Sequence, residues 1–162
     1  MTAEHRAYYR SPIGTVEIVG TRAGITAVNF VRREPRSTSQ PPRALRAAVA
    51  QIGEYFRGER SRFSVMLSME GTDFQEEIWR QLVRIPYGKT ATYGQLARAV
   101  GRPQAVRAVG QANHRNPISI IIPCHRVIGS DGSLVGYGGG LWRKRWLLDH
   151  ERKNASRARG IR

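Results

Sequence analysis

The sequence predicts an α+β fold of two domains: a small N-terminal α+β domain, residues 1–70, and a mainly helical C-terminal domain, residues 71–153. Short alternating and β-branched runs dominate the first part, whereas apolar residues at helical spacing dominate the second. Gly71 lies between the two patterns and is the expected boundary. A chain of 162 residues is long enough for two domains of this size.

Three strands are predicted near the N-terminus, at Ala7–Arg10, Thr15–Val19 and Ile25–Val31. The turns Ser11–Gly14 and Thr21–Gly24 separate them, which is typical of a hairpin or meander.

The rest of the N-terminal domain is predicted to contain a loop, a helix and a fourth strand. Arg32–Pro42 is rich in Arg, Pro and Ser and is expected to be a mobile loop. Ala44–Phe56 has an apolar stripe at helical spacing, and Gly58 ends this helix. Arg62–Met69 alternates between an apolar and a mainly polar set, which predicts a strand with one apolar face.

Three helices are predicted after the boundary. Thr72 or Asp73 caps the first, whose expected buried stripe is Phe74, Ile78, Trp79, Leu82 and Val83. Thr92 caps a short helix, Tyr93–Val100, and a further helix, Gln104–Asn113, has Pro103 in its first turn. Two short helices joined by a tight turn with glycine predict a helix-turn-helix. This pattern alone is a weak indication of function.

The only cysteine of the chain follows a β-branched run. Ile120–Ile122 meets Pro123, which predicts a buried strand that ends just before Cys124. A thiol is a nucleophile as its thiolate, with an ordinary pKa of about 8.5, and a histidine such as His125 can accept its proton. For an isolated Cys–His pair, a buried structural cysteine is the better interpretation.

The last part of the chain contains a glycine-rich segment and a helix. The segment Val135–Gly140, here called the glycine loop, lacks the spacing of a phosphate-binding P-loop. A helix is predicted over Leu141–Glu151, and residues 154–162 form a basic tail that is expected to be disordered.

Composition and charge restrict the class of protein. The net charge is +15, and residues 71–162 hold 16 of the 27 basic residues, which favours a polyanionic partner such as nucleic acid. One cysteine excludes an internal disulfide and a thiolate-rich zinc site. A lone thiol, the lack of a signal-peptide pattern and the lack of a membrane-length apolar run lead us to expect a cytoplasmic protein.

The sequence around the cysteine closely resembles the active-site region of the O6-alkylguanine-DNA alkyltransferases, which are also called methylated-DNA–protein-cysteine methyltransferases. The resemblance lies in Pro123–Ile128, with Asn116-Pro117 upstream and Gly136–Gly140 downstream. The resemblance covers about residues 72–151 well and the N-terminal third loosely. It implies a ribonuclease-H-like N-terminal domain followed by a winged-helix-like domain that carries the DNA-binding helix-turn-helix.

The resemblance also implies a chemistry. Cys124 would take the alkyl group of O6-alkylguanine, and of O4-alkylthymine, once per molecule and without a cofactor or metal. A relay Glu151–His125–water–Cys124 would ionise the thiol, and Asn116 would tie the active-site segment to the DNA-binding helix.

Further residues of the resemblance would bind the base. Tyr137 would close over the extruded base, and carbonyls of Cys124 and Val127 would accept from the guanine amino group. The N–H of Gly138, where many relatives have serine, would donate to the oxygen that loses the alkyl group. Ser119 stands where some relatives have a proline on the pocket wall.

The expected partner is double-stranded DNA carrying O6-alkylguanine, bound by a monomer, with cooperativity left open. Tyr93 would press on the phosphate beside the target nucleotide and drive its rotation. The helix with the small residues Ala105, Ala108 and Gly110 would lie in the minor groove, and Arg107 would replace the extruded nucleotide. No membrane partner is expected.

Three other classes of protein compete with this interpretation. A non-enzymatic alkyltransferase-like protein would share the helix-turn-helix but lacks the reactive cysteine. A plain helix-turn-helix regulator would leave Pro123–Ile128 and Glu151 without a purpose. A Cys–His hydrolase would need an oxyanion pocket, for which only the glycine loop is available.

Overall fold

The chain divides into two units, Met1–Glu70 and Gly71–Arg162. The structure, a computed structural model, describes residues 3–33 and 40–160. Most of the predicted loop Arg32–Pro42 therefore lies outside the described residues. The first unit combines a sheet with a helix and the second is mainly helical, so the predicted α+β fold is confirmed.

The N-terminal unit contains a three-stranded antiparallel meander in the order β1 (His5–Ser11), β2 (Gly14–Thr21) and β3 (Gly24–Val31). All three predicted strands are present, and each begins earlier than predicted. Ala7 pairs with Ile18 and Ile18 with Val28, and this register brings their side chains to the buried face.

One helix covers this sheet. A short 3₁₀ turn, Arg43–Leu45, leads into α1 (Arg46–Phe56), which packs against β1. Leu45, Ala48 and Ile52 are buried, and each large apolar side chain buried in this way contributes about 1.5–3 kcal/mol.

The predicted strand Arg62–Met69 is wrong. This segment joins the sheet edge only at Leu67, through a parallel bridge to Ile25. The Ile25 N–H donates to the Met66 carbonyl and the Ser68 N–H donates to the Ile25 carbonyl, both at 2.8 Å. Phe63, Val65 and Leu67 remain less exposed than Ser64 and Met66. The alternation of apolar and polar residues therefore indicates an extended backbone that lies on an apolar surface. A strand would also need continuous backbone pairing with a neighbouring strand.

The C-terminal unit begins with α2 (Asp73–Val83). Thr72, rather than Asp73, caps it in a reciprocal capping box with Gln75, with distances of 3.1 and 3.0 Å. Ile78, Trp79 and Leu82 are buried as predicted, whereas Val83 is 48% exposed.

The predicted helix-turn-helix is formed by α3 (Tyr93–Ala99) and α4 (Val106–His114). Pro103 lies in the turn before α4, and the Ala105 N–H donates to Arg102 O at 2.9 Å, so the helix starts two residues later than predicted. The Trp79 indole N–H donates to the Ala112 carbonyl at 2.9 Å and fixes α4 against α2.

The predicted strand Ile120–Ile122 is also wrong. These three residues form a buried turn, closed by a bond of 3.0 Å from the Ile122 N–H to the Ile118 carbonyl. Ile120 has φ 74°, a conformation that costs a β-branched residue about 1–3 kcal/mol. β-branching here reflects burial rather than sheet pairing.

The turn leads directly to the cysteine. A 3₁₀ turn, Cys124–Arg126, continues into the short strand β5 (Val127–Ile128), which pairs in parallel with β4 (Ala91–Thr92).

The last helix is longer than predicted. α5 runs over Leu141–Gly160, so the disorder expected for residues 154–162 is wrong as far as Gly160, while Ile161 and Arg162 lie outside the described residues. Among the residues that the structure describes, no helix is both long and apolar enough to span a membrane.

We expect Thr72→Ala to lower the free energy of unfolding of the C-terminal unit by about 1 kcal/mol, because the Gln75 N–H at the start of α2 loses its acceptor. Thr72→Ser keeps the acceptor and should lie within about 0.5 kcal/mol of the wild type. Urea unfolding followed by tryptophan fluorescence measures this, since all three tryptophans lie in residues 79–146. Equal losses in the two variants would contradict the capping role.

Candidate active site

Cys124 occupies the first position of the 3₁₀ turn that follows Pro123. The residue is 6% exposed, and its N–H donates to the Ile122 carbonyl at 2.8 Å. Burial raises the pKa of the Cys124 thiol, whereas the side chains of Asn116 and Lys144 lower it. The sulfur is thus held rigidly in an apolar setting with two polar groups close to it.

Asn116 fixes the turn in front of the cysteine. Its Nδ2 donates to the Ile122 carbonyl at 2.8 Å, and its Oδ1 accepts from the Ile118 N–H at 3.0 Å. Its own N–H donates to the Asn113 carbonyl near the end of α4 at 3.3 Å. Asn116 therefore connects the segment of Cys124 to the second helix of the helix-turn-helix.

His125 and Glu151 form a buried pair. His125 Nε2 lies 2.6 Å from Glu151 Oε2, and neither side chain is more than 1% exposed. Within the described part of the chain, His125 Nδ1 has no hydrogen-bond partner. Because Glu151 engages Nε2, any further hydrogen bond of the imidazole would be made at Nδ1.

Arg126 completes this cluster and was missed by the sequence analysis. Its Nε donates to Glu151 Oε1 at 2.7 Å and its Nη2 to Oε2 at 3.1 Å, while Nη1 donates to the Ile85 carbonyl at 2.6 Å. Burial alone would raise the pKa of Glu151, but His125 and Arg126 hold it well below its usual range. Glu151 therefore remains a carboxylate at neutral pH.

Lys144 is a second missed residue. Its side chain is fully buried, and Nζ donates to the carbonyls of Val135 at 2.9 Å and Gly136 at 3.3 Å. Burial lowers the pKa of Lys144 to about 8, and Cys124 opposes this shift. The available signal was spacing: Lys144, Leu148 and Glu151 share one face of α5, so the lysine lies among inward-facing residues.

Two tyrosines border the cysteine. The Tyr93 hydroxyl donates to the Val135 carbonyl of the glycine loop at 3.0 Å. The Tyr137 hydroxyl is buried, and burial and Cys124 raise its pKa well above its usual value, whereas Ser119 lowers it. The structure therefore brings Tyr93, Tyr137 and Ser119 close to Cys124 or to one another.

The remaining predicted pocket residues differ in exposure. Val127 is buried directly after the 3₁₀ turn. Gly138 is exposed, and a Cβ built on it would meet no atom within 4 Å. The space around Gly138 therefore does not demand a glycine.

The helix α4 has two different faces. Arg107 and Ala108 are exposed, whereas Asn113 is buried and its Nδ2 lies 3.4 Å from the Cys124 carbonyl. Ala105 caps the helix, and a Cβ built on Gly110 would lie 3.8 Å from two ring carbons of Tyr93. Arg107 and Ala108 therefore lie outside the cysteine cluster, whereas Asn113 of the same helix contacts it.

No group of three His, Cys, Asp or Glu side chains that could hold a metal ion occurs within residues 3–33 and 40–160.

Comparison with known proteins identifies the family. Residues 5–69 match the ribonuclease-like domain, and residues 73–153 the DNA binding domain, of 6-O-methylguanine DNA methyltransferase. The methylated-DNA–protein-cysteine methyltransferase of Mycolicibacterium paratuberculosis is 48% identical over 149 residues, 90% of each chain. That of Methanosarcina acetivorans is 47% identical over 150 residues, 90% of this chain and 96% of the relative.

Solved structures agree with this assignment. The crystal structure of Mycobacterium tuberculosis O6-methylguanine methyltransferase has a TM-score of 0.84 and 46% identity, covering 94% of both chains. A structure of Mycobacterium tuberculosis OGT in complex with DNA also has a TM-score of 0.84, with 45% identity, covering 93% of this chain and 94% of that one. The chain therefore belongs to the methylated-DNA–protein-cysteine methyltransferase family.

Lys144→Met should shift the pH–rate profile of Cys124 to higher pH, because the lysine lowers the pKa of the thiol. The rate of alkylation by iodoacetamide between pH 5 and pH 10 measures this, since that reagent reacts with the thiolate. Arg145→Met is the matched control, because Arg145 is exposed on the same helix. An unchanged profile in Lys144→Met would contradict the electrostatic role.

Glu151→Gln should lower the free energy of unfolding by about 3–5 kcal/mol at pH 7, because Arg126 becomes a buried charge without its counter-ion. The pKa of Glu151 is depressed in the folded state, so its contribution is present above the unfolded value of about 4.3 and is lost as pH falls. Urea unfolding at pH 7 and pH 3 should therefore show a smaller difference between variant and wild type at pH 3. A difference that is independent of pH would contradict this explanation.

Proposed function

We propose that the protein repairs O6-alkylguanine, and O4-alkylthymine, in duplex DNA by moving the alkyl group to its own Cys124. The observation that carries the proposal is the buried Glu151–His125 pair immediately beside the only cysteine of the chain. A carboxylate that orients an imidazole next to a thiol is the arrangement by which proteins generate a thiolate nucleophile.

The reaction is a displacement at carbon. The Cys124 proton leaves through His125 Nδ1, and Glu151 stabilises the imidazolium on the opposite nitrogen. The thiolate attacks the alkyl carbon, the carbon–O6 bond breaks, and its electron pair stays on the purine. The purine takes up one proton and becomes guanine, while the protein keeps an S-alkylcysteine. The carbon–sulfur bond of the thioether is stable and nothing in the proposed reaction cleaves it, so each molecule acts once.

The pocket residues would select the purine. The Cys124 and Val127 carbonyls accept from the guanine amino group, the Gly138 N–H donates to O6, and Tyr137 covers the ring beside Ser119. Asn116 supports this pocket by fixing the turn before Cys124.

The base must leave the duplex, because the alkyl carbon is not accessible to the sulfur inside the stack. The exposed face of α4 offers Ala108 and a long cation, Arg107, to the minor groove, with Ala105 and Gly110 keeping the backbone close. Tyr93 lies beside this helix. It presses on the DNA phosphate next to the target nucleotide and so drives the rotation of that nucleotide. The DNA complex of Mycobacterium tuberculosis OGT supports DNA as the partner. All these residues come from one chain, so a monomer suffices.

A label-transfer assay tests the reaction. Duplex DNA with O6-[methyl-³H]methylguanine should transfer one label per protein molecule, and Cys124→Ser should transfer none. Binding of the lesion without transfer would instead favour the alkyltransferase-like alternative. Repeated release of free product would favour a hydrolase.

Arg107→Ala tests the role of α4. The variant should repair the duplex lesion about tenfold or more slowly, in line with 1–3 kcal/mol for one nucleic-acid contact. Its reaction with free O6-benzylguanine should be unchanged, because the free base needs no extrusion. Arg80→Ala, which removes an exposed cation from α2, is the matched control. Equal losses on both substrates would refute the role of Arg107 in the duplex.

A further inference from the structure

The N-terminal unit contains a cavity that the proposed function does not use. Its volume is about 740 Å³, within the range of about 300–1,000 Å³ that small-molecule sites occupy. It is lined by His5 of β1, by the turn between β2 and β3, by the start of α1 with the 3₁₀ turn before it, and by the segment Ser64–Met66. All of these residues belong to one unit, so the cavity is a property of that unit alone.

The walls of the cavity are joined to one another. Gln51 of α1 donates to the Ser64 hydroxyl at 2.8 Å and accepts from the Ser64 N–H at 2.9 Å. A Cβ built on Gly24 would lie 2.7 Å from the Met66 carbonyl oxygen, so the turn between β2 and β3 lies directly against this segment. The walls therefore hold each other in place, and the cavity is preformed in the folded unit.

The titratable side chains that line the cavity are all basic: His5, Arg22 and Arg43. Both arginines are exposed, and neither has an ion-pair or hydrogen-bond partner for its side chain among residues 3–33 and 40–160. A guanidinium group is always charged at neutral pH, and its planar set of donors matches the oxygens of a phosphate or a carboxylate. The charge at the cavity therefore favours an anionic ligand.

The acidic residues of this unit do not neutralise the two arginines. Most of those that the structure describes form ion pairs with other arginines: Glu4 and Glu17 with Arg6, Glu54 with Arg60, and Glu59 with Arg57. The remaining one, Glu70, does not line the cavity. The described part of the unit thus leaves the positive charge of Arg22 and Arg43 without a counter-charge.

The rest of the lining is mainly apolar. Ile25 and Ala48 are buried, and Val65 is half-buried. Met66 is 71% exposed, the highest value among the large apolar side chains that the structure describes as exposed. A methionine side chain is flexible and apolar, so it can fold over an apolar group in the cavity. A ligand that combines an anionic group with an apolar body would satisfy both parts of the lining.

We propose that this cavity binds a phosphomonoester with an aromatic body, the chemistry of a nucleoside monophosphate. Arg22 and Arg43 bind the phosphate, and the aromatic body lies against the apolar lining below Met66. Two fixed positive charges match a phosphomonoester, which carries a charge of about −1.5 to −2 at neutral pH, whereas a carboxylate would leave one of them unneutralised. A free nucleotide and the phosphorylated end of a DNA strand share this chemistry. The inference is independent of the proposed reaction at Cys124.

Isothermal titration calorimetry of the full chain with adenosine 5′-monophosphate tests the site. We expect one saturable site per chain with a Kd of about 1 mM or lower in about 0.15 M salt. Arg22→Gln and Arg43→Gln should each weaken binding about tenfold, because each variant loses a charge-assisted hydrogen bond to the phosphate. Absence of saturable binding to the wild type would overturn the inference.

Arg62→Gln is the matched control. Arg62 is an exposed arginine of the same unit that does not line the cavity, so this variant removes the same charge and should bind like the wild type. Circular dichroism checks that all three variants are folded. Equal weakening in all three would show that the net charge of +15 attracts the anion without a defined site, and this result would also overturn the inference.

The choice of ligand tests the two parts of the lining separately. Adenosine and inorganic phosphate should each bind at least about tenfold more weakly than the nucleotide, because each offers only one of the two groups. Adenosine binding as tightly as the nucleotide would contradict the role of the arginines, and inorganic phosphate doing so would contradict the role of the apolar lining.

A thymidine dinucleotide with and without a 5′-phosphate distinguishes the two sources of the ligand. If only the phosphorylated form binds as tightly as adenosine 5′-monophosphate, the end of a DNA strand fits the site. Weaker binding of both forms identifies the free nucleotide as the ligand. Equal and tight binding of both forms would contradict the need for a phosphomonoester.

Discussion

The buried carboxylate of Glu151 connects the parts of the C-terminal unit that matter for chemistry. It lies on α5 and bonds His125 and Arg126 in the 3₁₀ turn, and Arg126 in turn donates to the Ile85 carbonyl beyond α2. The Arg126 guanidinium and the His125 imidazole share this one carboxylate, and a buried charge is stable only when it is paired in this way. The same bonds that hold the turn in place also orient the imidazole of the residue next to Cys124, so stability and the proposed reactivity depend on one group.

A second set of bonds holds the glycine loop. The Val135 carbonyl accepts from Lys144 and Tyr93, which come from α5 and from the helix-turn-helix. Cys124 raises the pKa of Lys144 and Lys144 lowers the pKa of Cys124, so the two groups stabilise each other's charged forms. The loop is therefore held by residues that also respond to the state of the thiol.

The helix α4 shows why the fold suits a protein that works on DNA. Its outer face carries Arg107 and small residues, while its inner face contacts Trp79 and the Cys124 carbonyl. A single side chain, that of Asn113, therefore connects this helix to the backbone of the cysteine. Asn113 and Asn116 supply this connection through backbone groups.

The sequence by itself determined the parts that depend on local chemistry. The threonine caps of α2 and α3, the apolar stripes and the Cys–His pair are short-range patterns, and the resemblance around Pro123–Ile128 supplied the predicted site. The tertiary structure alone decided that Ile120–Ile122 forms a buried turn and that Arg126 is buried, whereas helical spacing already placed Lys144 among inward-facing residues. A cation is buried only if distant partners satisfy it, and for Arg126 these lie 25 and 41 residues away. Such pairing is set by packing, which no local pattern contains.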